Sequence, residues 1–140
     1  MAYLDTSIVL PYYSPEKLSG RVENIILNDA DPAISTLTAV EVASALSRKI
    51  REKSISSENA EMIWEQFTFH RKNDYYRILP VGIHHYSLAA EYILQFKTSL
   101  RTLDALHLAV ASDSSLPVVT CDKQLHQAAK KLHLPCTLVK

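Results

Sequence analysis

Glycine is almost absent from this chain: 140 residues include only Gly20 and Gly82, far apart. A phosphate-wrapping P-loop and a dinucleotide-binding G-x-G turn both need glycines a few residues apart, so both are excluded. Cysteine is scarce too. Cys121 and Cys136 alone do not make the disulfide framework of a small secreted scaffold. Neither charge is in excess, with 15 Lys and Arg against 15 Asp and Glu, so no net positive potential announces nucleic acid. A balanced total still leaves room for a local basic patch beside a local acidic one. No stretch reaches the roughly 18 uninterrupted apolar residues of a membrane span. The opening MAYLDTSIVL has no basic n-region and carries Asp5 inside its apolar run, unlike a signal peptide. A cytoplasmic protein with no membrane partner is the expectation.

What is present fits one folded domain over residues 1–140. Hydrophobic residues make up 47% and charged residues 21%, a globular rather than a disordered balance, and the length suffices for one core. Short β-branched runs alternate with longer helical patterns. Strands are expected at residues 2–5, Pro32–Ser35, Tyr75–Pro80, Val118–Thr120 and Cys136–Val139. A short first helix is expected over Ser7–Tyr13. Ser14-Pro15-Glu16 has the chemistry of a helix start and opens a second helix running to about Asn28. Further helices are expected over Thr38–Lys53, from Ser56 or Ser57 to about Lys72, and over Ile83–Phe96. Two more follow, from Thr102 to about Asp113 and over Lys123–Leu132. Strands alternating with helices of ten or so residues predict an α/β fold, a parallel sheet covered by helices on both faces.

Four acids stand where strand or loop gives way to helix: Asp5, Glu41, Asp104 and Asp122. Each has a purely structural explanation. Glu41 follows Thr38 at the Thr-x-x-Glu capping-box spacing. Asp104 sits in a first helical turn, where a carboxylate favours the macrodipole. Asp122 and Asp5 are placed to cap the helices after them. Together they allow a second reading. In a parallel α/β sheet the strand C-termini and the following helix N-termini gather at one edge, where ligands bind. Four carboxylates there repel one another unless a cation is present. A hard divalent ion with oxygen ligands, Mg²⁺ or Mn²⁺, resolves the repulsion and suits metal-assisted hydrolysis of phosphodiesters.

The strings YLDTSIVL, TLTAVEVASAL, LRTLDALHLAVA and PVVTCDKQLHQAAKKL resemble, in order and over residues 2–139, the successive signatures of PIN domains. They most resemble those of the VapC-type ribonuclease toxins of prokaryotic toxin–antitoxin pairs. The resemblance implies a single PIN-like domain with Mg²⁺- or Mn²⁺-dependent endoribonuclease activity on RNA, leaving a 5′-phosphate and a 3′-hydroxyl. It implies Asp5, Glu41, Asp104 and Asp122 as the acidic quartet, with Thr6 and Thr120 as supporting hydroxyls near the metal. Ser7 stands where Asn is common in the family's turn. The resemblance also implies a homodimer and a cognate antitoxin as protein partner. The rival reading is a PIN-like RNA- or protein-binding module, or an RNA-processing factor, with a weak or silent metal site. Loss of one or more acids would mark it, and all four are present.

Among the basic residues, Arg101 lies three positions before Asp104, and Arg48 lies seven after Glu41, two turns along the same helix face. Both are candidate RNA phosphate contacts. Lys49, Arg51, Lys53 and the Lys130-Lys131 pair read equally well as solvated helix faces. Cys121, His126, His133 and Cys136 are zinc-ligand types, but their spacing matches no standard zinc motif. His107, three residues after Asp104, reads as a hydrogen-bonded core histidine rather than a ligand, because a hard-cation site prefers oxygen. His84-His85 reads as a helix start. Ile63, Trp64 and Phe67 recur at helical spacing and fit either core packing or an apolar contact surface.

Overall fold

A computed structural model describes residues 1–140. Twelve elements follow one another: β1 (Tyr3–Leu4), α1 (Thr6–Tyr13), α2 (Ser19–Asn28), β2 (Ala33–Ser35), α3 (Thr36–Arg51), α4 (Ser57–Lys72), β3 (Arg77–Leu79), α5 (Ile83–Leu94), α6 (Thr102–Asp113), β4 (Val118–Thr120), α7 (Lys123–Lys131) and β5 (Cys136–Leu138). The strands form one sheet in the order β3-β2-β1-β4-β5, and every pairing is parallel. Tyr3 is the register point, opposite Ala33 on one side and Val118 on the other.

Successive strand side chains point to opposite faces, and this period of two divides the core. Tyr3, Ala33 and Val118 pack with the buried residues of α5 and α6 and with Leu125 and Ala129 of α7. Leu4 and Ile34, one residue further on, pack on the other face with apolar residues of α1, α2, α3 and α4. The expected α/β architecture is therefore the one observed. Helix α6 is buried without interruption from Ala105 to Ala111, so its Ala- and Leu-rich sequence has no polar stripe to show.

Several expected boundaries move: α3 spans Thr36–Arg51 rather than Thr38–Lys53, α5 ends at Leu94 rather than Phe96, and two shifts have a visible cause. Ser14 does not start a helix. Its N–H closes α1 on the carbonyl of Leu10 at 2.9 Å, and α2 begins at Ser19, whose hydroxyl donates to the Pro11 carbonyl and accepts from Glu16 N–H, both at 2.7 Å. Pro15 thus lies in a connection stitched by Ser19. The third strand is shorter than Tyr75–Pro80, because Tyr75 and Tyr76 are taken into an aromatic cluster. Tyr12 meets Tyr75 and Tyr13 meets Tyr76, hydroxyl to hydroxyl at 2.6 Å, and Tyr13 also reaches His70 Nδ1 at 2.7 Å. Phe67 and Trp64 pack into the core on this side.

The scarcity of glycine has a structural cost. Lys53, Asp74, Phe96, Ser115 and His133 take positive φ, between 55° and 60°, and each follows the end of a helix. At four of these ends the next N–H reaches back to close a Schellman motif: Ser54 to Lys49, Tyr75 to His70, Leu116 to Ala111 and Leu134 to Ala129. Glycine is the residue that adopts this conformation without a Cβ clash, and an L side chain there costs about 1–2 kcal/mol. Lys53→Gly is therefore expected to raise stability by about 0.5–1 kcal/mol, part of the relief being offset by unfolded-chain entropy. Ser47→Gly, inside α3, is expected to lower it by about 1 kcal/mol. Urea denaturation of the two variants beside wild type checks the opposite signs.

Candidate active site

The central strands β1 and β4 end side by side, and the site is built on the residues that follow them. Asp5 comes directly after β1. Its carbonyl accepts from Ile8 and Val9 N–H at 3.0 and 3.3 Å, but its side chain caps nothing. The carboxylate is instead buried, 5% exposed, and accepts from Ser7 Oγ at 2.6 Å and Thr120 Oγ1 at 2.9 Å. The same hydroxyls tie down the far side: Ser7 Oγ accepts from Cys121 N–H at 2.8 Å and Thr120 Oγ1 from Asp122 N–H at 2.9 Å. Capping is therefore not what holds Asp5 in place.

Glu41 does not complete a capping box with Thr38 either. Helix α3 begins straight out of β2, so Ser35 is its N-cap. The box is Ser35 with Thr38, whose hydroxyl accepts from Ser35 N–H at 3.2 Å. Glu41 lies a turn further on, and its Oε1 accepts from Thr6 Oγ1 at 2.6 Å and meets His107 Nε2. His107 is 2% exposed and hydrogen-bonded through both ring nitrogens, Nδ1 to the Tyr3 hydroxyl. Asp122 does cap, its Oδ1 accepting from Gln124 and Leu125 N–H at 2.8 and 3.2 Å at the start of α7. Asp104 sits half-buried in the first turn of α6.

The electrostatics join the four acids. Burial pushes the Asp5 carboxyl up to about 6, with the Asp122 charge adding to it and the Ser7 and Thr120 hydroxyls and His107 opposing. Burial also raises Asp104, helped by Asp122 and Glu41 and opposed by His107 and Arg101. Glu41 goes the other way. Burial raises it, but the hydrogen bond and charge of His107, with Thr6, outweigh that and leave it below the usual carboxylate range. Although the chain carries 15 Lys and Arg, none of them pairs with any of the four acids, and His107, bonded to Glu41, is the one basic side chain that does. The donor set is all oxygen, carboxylates and hydroxyls, which suits a hard divalent cation.

Of the four acids only Glu41 lines the cleft of about 400 Å³ that it shares with Thr6, Ser7, Ser44, Leu103 and Arg48 among others. Arg48 thus shares a wall with Glu41, and the charge of exposed Arg101 acts on Asp104. Lys49 is engaged elsewhere, on Glu16 at 2.9 Å, and Arg51 donates to Ser47 Oγ at 2.8 Å. A larger cleft of about 700 Å³, lined by Tyr13, Pro15, Ile55, Met62 and Ile63 among others, contains none of the acids.

The one group of three or more metal-ligand types whose ligand atoms all lie within 4.8 Å of one another is elsewhere, at His84, His85 and Asp113; the four acids do not close to that spacing. Asp113 Oδ2 meets His84 Nε2 at 3.0 Å and His85 Nε2 at 2.9 Å, while His85 Nδ1 accepts from Gly82 N–H at 2.9 Å. With Nδ1 accepting, Nε2 of His85 carries a proton and donates to the carboxylate. The trio therefore caps α5 and latches its first turn to the end of α6.

Sequence reasoning did not single out Tyr3 and Ser35, nor the bonds that Ser7 makes. The available signal was Tyr3 itself: a tyrosine on a buried strand needs a partner for its hydroxyl.

Residues 2–131 match the family model of the PIN domain. Among solved structures, FitAcB from Neisseria gonorrhoeae superposes with a TM-score of 0.74 at 20% identity, over 97% of this chain and 96% of that one. VapBC2 from Rickettsia felis, solved bound to a promoter DNA fragment, gives 0.70 at 18% identity over 100% of both chains. VapC20 of Mycobacterium tuberculosis, a sarcin-ricin loop cleaving toxin, gives 0.69 at 14% over 91% of this chain and 95% of that one. At such identities the likeness is one of fold. No curated protein matches by sequence. With the family model covering nearly the whole chain and an all-parallel five-stranded sheet beneath it, this chain belongs to the PIN domain family.

Proposed function

We propose that this chain is a divalent-metal-dependent endoribonuclease, the toxin of a type II toxin–antitoxin pair. The observation that carries the reading is the buried Asp5 carboxylate between the ends of β1 and β4, in one field with Asp104 and Asp122 and left without a Lys or Arg partner. The likeness to toxins of toxin–antitoxin complexes supports the biological setting. A cognate antitoxin and a second copy of the chain are the expected protein partners, with RNA the substrate. No helix is long and apolar enough to cross a membrane, and the cytoplasm is the proposed location.

Asp5, Asp104, Asp122 and Glu41 would hold Mg²⁺ or Mn²⁺, which when bound lowers the pKa of a water and offsets charge on the reacting phosphate. Thr120 fixes Asp5 by donating to Oδ2, and Thr6 fixes Glu41 by donating to Oε1. Asp122 is held by two N–H groups of α7, so its oxygen is pinned without a side-chain cation. Arg48 and Arg101 flank the acids and would meet RNA phosphates, positioning the strand rather than reading its bases.

Two predictions separate this from a set of unrelated acids. Calorimetry is expected to show Mn²⁺ or Mg²⁺ binding to wild type, and at a hundredfold excess over Kd the metal should stabilise the fold by about 2.7 kcal/mol. Asp5→Asn and Asp104→Asn should each lose binding at least about tenfold. Equal binding by both variants would make the acids separate structural groups and leave a binding module as the better reading. RNA cleavage should stop with EDTA, and growth arrest on induction without antitoxin should vanish in Asp5→Asn.

The second concerns pH. Asp5 titrates higher in the folded chain, at about 6, than the ordinary 3.8. The folded state therefore binds more protons between these values, and metal-free stability should fall as pH rises from about 4 through about 6. The loss is on the order of 2 kcal/mol. Asp5→Asn should remove that slope and, in EDTA at pH 7, melt higher than wild type. Denaturation midpoints across pH 4–8 test it, and a wild-type profile that stays level there would refute it.

A further inference from the structure

The structure assigns to His107, seated by Tyr3, the task of presenting Glu41 to the metal through a single oxygen. The inference rests on the proposed role of Glu41 as a metal-holding acid. Its basis is a chain of side chains drawn from four elements. Glu41 Oε1 takes both of the carboxylate's hydrogen bonds, from Thr6 Oγ1 at 2.6 Å and from His107 Nε2. No protein donor bonds Oε2. The Glu41 side chain is 20% exposed while that of His107 is 2% exposed, so the imidazole grips the carboxylate from the protein's interior.

His107 is held in turn. Its Nδ1 meets the Tyr3 hydroxyl, which donates to Ser35 Oγ at 2.9 Å. The rings of Tyr3 and His107 pack with centroids 5.6 Å apart. Ser35 is the N-cap of α3, its N–H donating to Thr38 Oγ1 at 3.2 Å, and α3 is the helix that carries Glu41. The path thus leaves α3 at Glu41, passes through α6 and the central strand β1, and returns to α3 at its first turn. The loop fixes both the start of the helix and the carboxylate a turn and a half along it. Outer residues of this kind orient metal-holding groups, and removing one commonly weakens metal binding about 10–100-fold. His107 is a positioning residue, not a ligand.

The test reads Mn²⁺ affinity by calorimetry on the full chain, with circular dichroism and a single cooperative melt confirming the fold of each variant. His107→Leu keeps the bulk and removes both ring nitrogens, and should weaken Mn²⁺ binding about tenfold or more. His107→Gln restores an N–H donor toward Glu41 and should recover most of that loss. Tyr3→Phe keeps the ring, removes only the hydroxyl, and should weaken binding in the same direction by a smaller factor; it carries the test if His107→Leu does not fold. Glu41→Gln is the reference. If it weakens binding while folded His107→Leu and Tyr3→Phe bind as wild type, the positioning role is refuted and the metal site stands. If Glu41→Gln binds as wild type, Glu41 holds no metal and both claims fall. Loss in His107→Leu without recovery in His107→Gln would count packing, not the hydrogen bond, as the cause and also overturn the inference.

Discussion

The rest of this structure depends on a carboxylate buried at the end of its central strand. Asp5 is 5% exposed, and removing a charge from water costs several kcal/mol unless it is compensated. The chain compensates with two hydroxyls rather than a cation. Hydroxyls orient a carboxylate and satisfy its oxygens, but they carry no net charge and leave the local field negative. Ser7 also reaches across to the Cys121 N–H just past β4, and Thr120, the last residue of β4, reaches back to Asp5 while accepting from Asp122 N–H, so the bonds that hold Asp5 also join the ends of the two middle strands.

The sheet makes this arrangement possible. In a parallel sheet every strand ends at the same edge, and with β1 central and β2 and β4 beside it, three strand ends converge with no loop to spare. Asp5 directly follows β1, Asp122 is two residues past β4, and Ser35 is both the last residue of β2 and the cap of α3. Tyr3 and Leu4 send their side chains into opposite cores, which fixes the register of the strand that delivers Asp5. A one-residue slip would exchange those faces and carry Asp5 away from Thr120.

The fold was largely legible because the relevant signals are local. β-Branched runs alternating with helical patterns imply parallel strands without knowledge of which are neighbours, whereas the order β3-β2-β1-β4-β5 depends on packing. The element ends were harder to read for a chemical reason. Glycine, which usually marks a helix terminus, is replaced at these ends by Lys53, Asp74, Phe96, Ser115 and His133. The four acids could be named from position and family likeness, yet spacing misjudged what holds two of them. Thr38-x-x-Glu41 has the form of a capping box, but Ser35 captures Thr38 first because α3 starts without a loop. Asp5 looks like a cap and is spent on hydroxyls. The contact of Tyr3 with His107 spans 104 positions, and no local pattern encodes it.

Asp122 shows that a structural and a functional reading need not exclude each other. Two N–H groups of α7 bind one of its oxygens, the ordinary work of an N-cap, and the same charge raises both Asp5 and Asp104. The cap fixes where the negative charge sits; its neighbours feel it. Glu41 is the counterpart, its charge answered by His107. The quartet is thus divided into acids whose charge the protein accommodates and acids whose charge it leaves strained. Under the proposed function, a cation arriving at this edge would gain most from the strained pair, and part of its binding energy would come from relieving a cost that folding has already incurred. On that reading the site would lower the stability of the metal-free chain to raise its affinity for the ion, a trade between fold and function that proteins commonly make at their active sites.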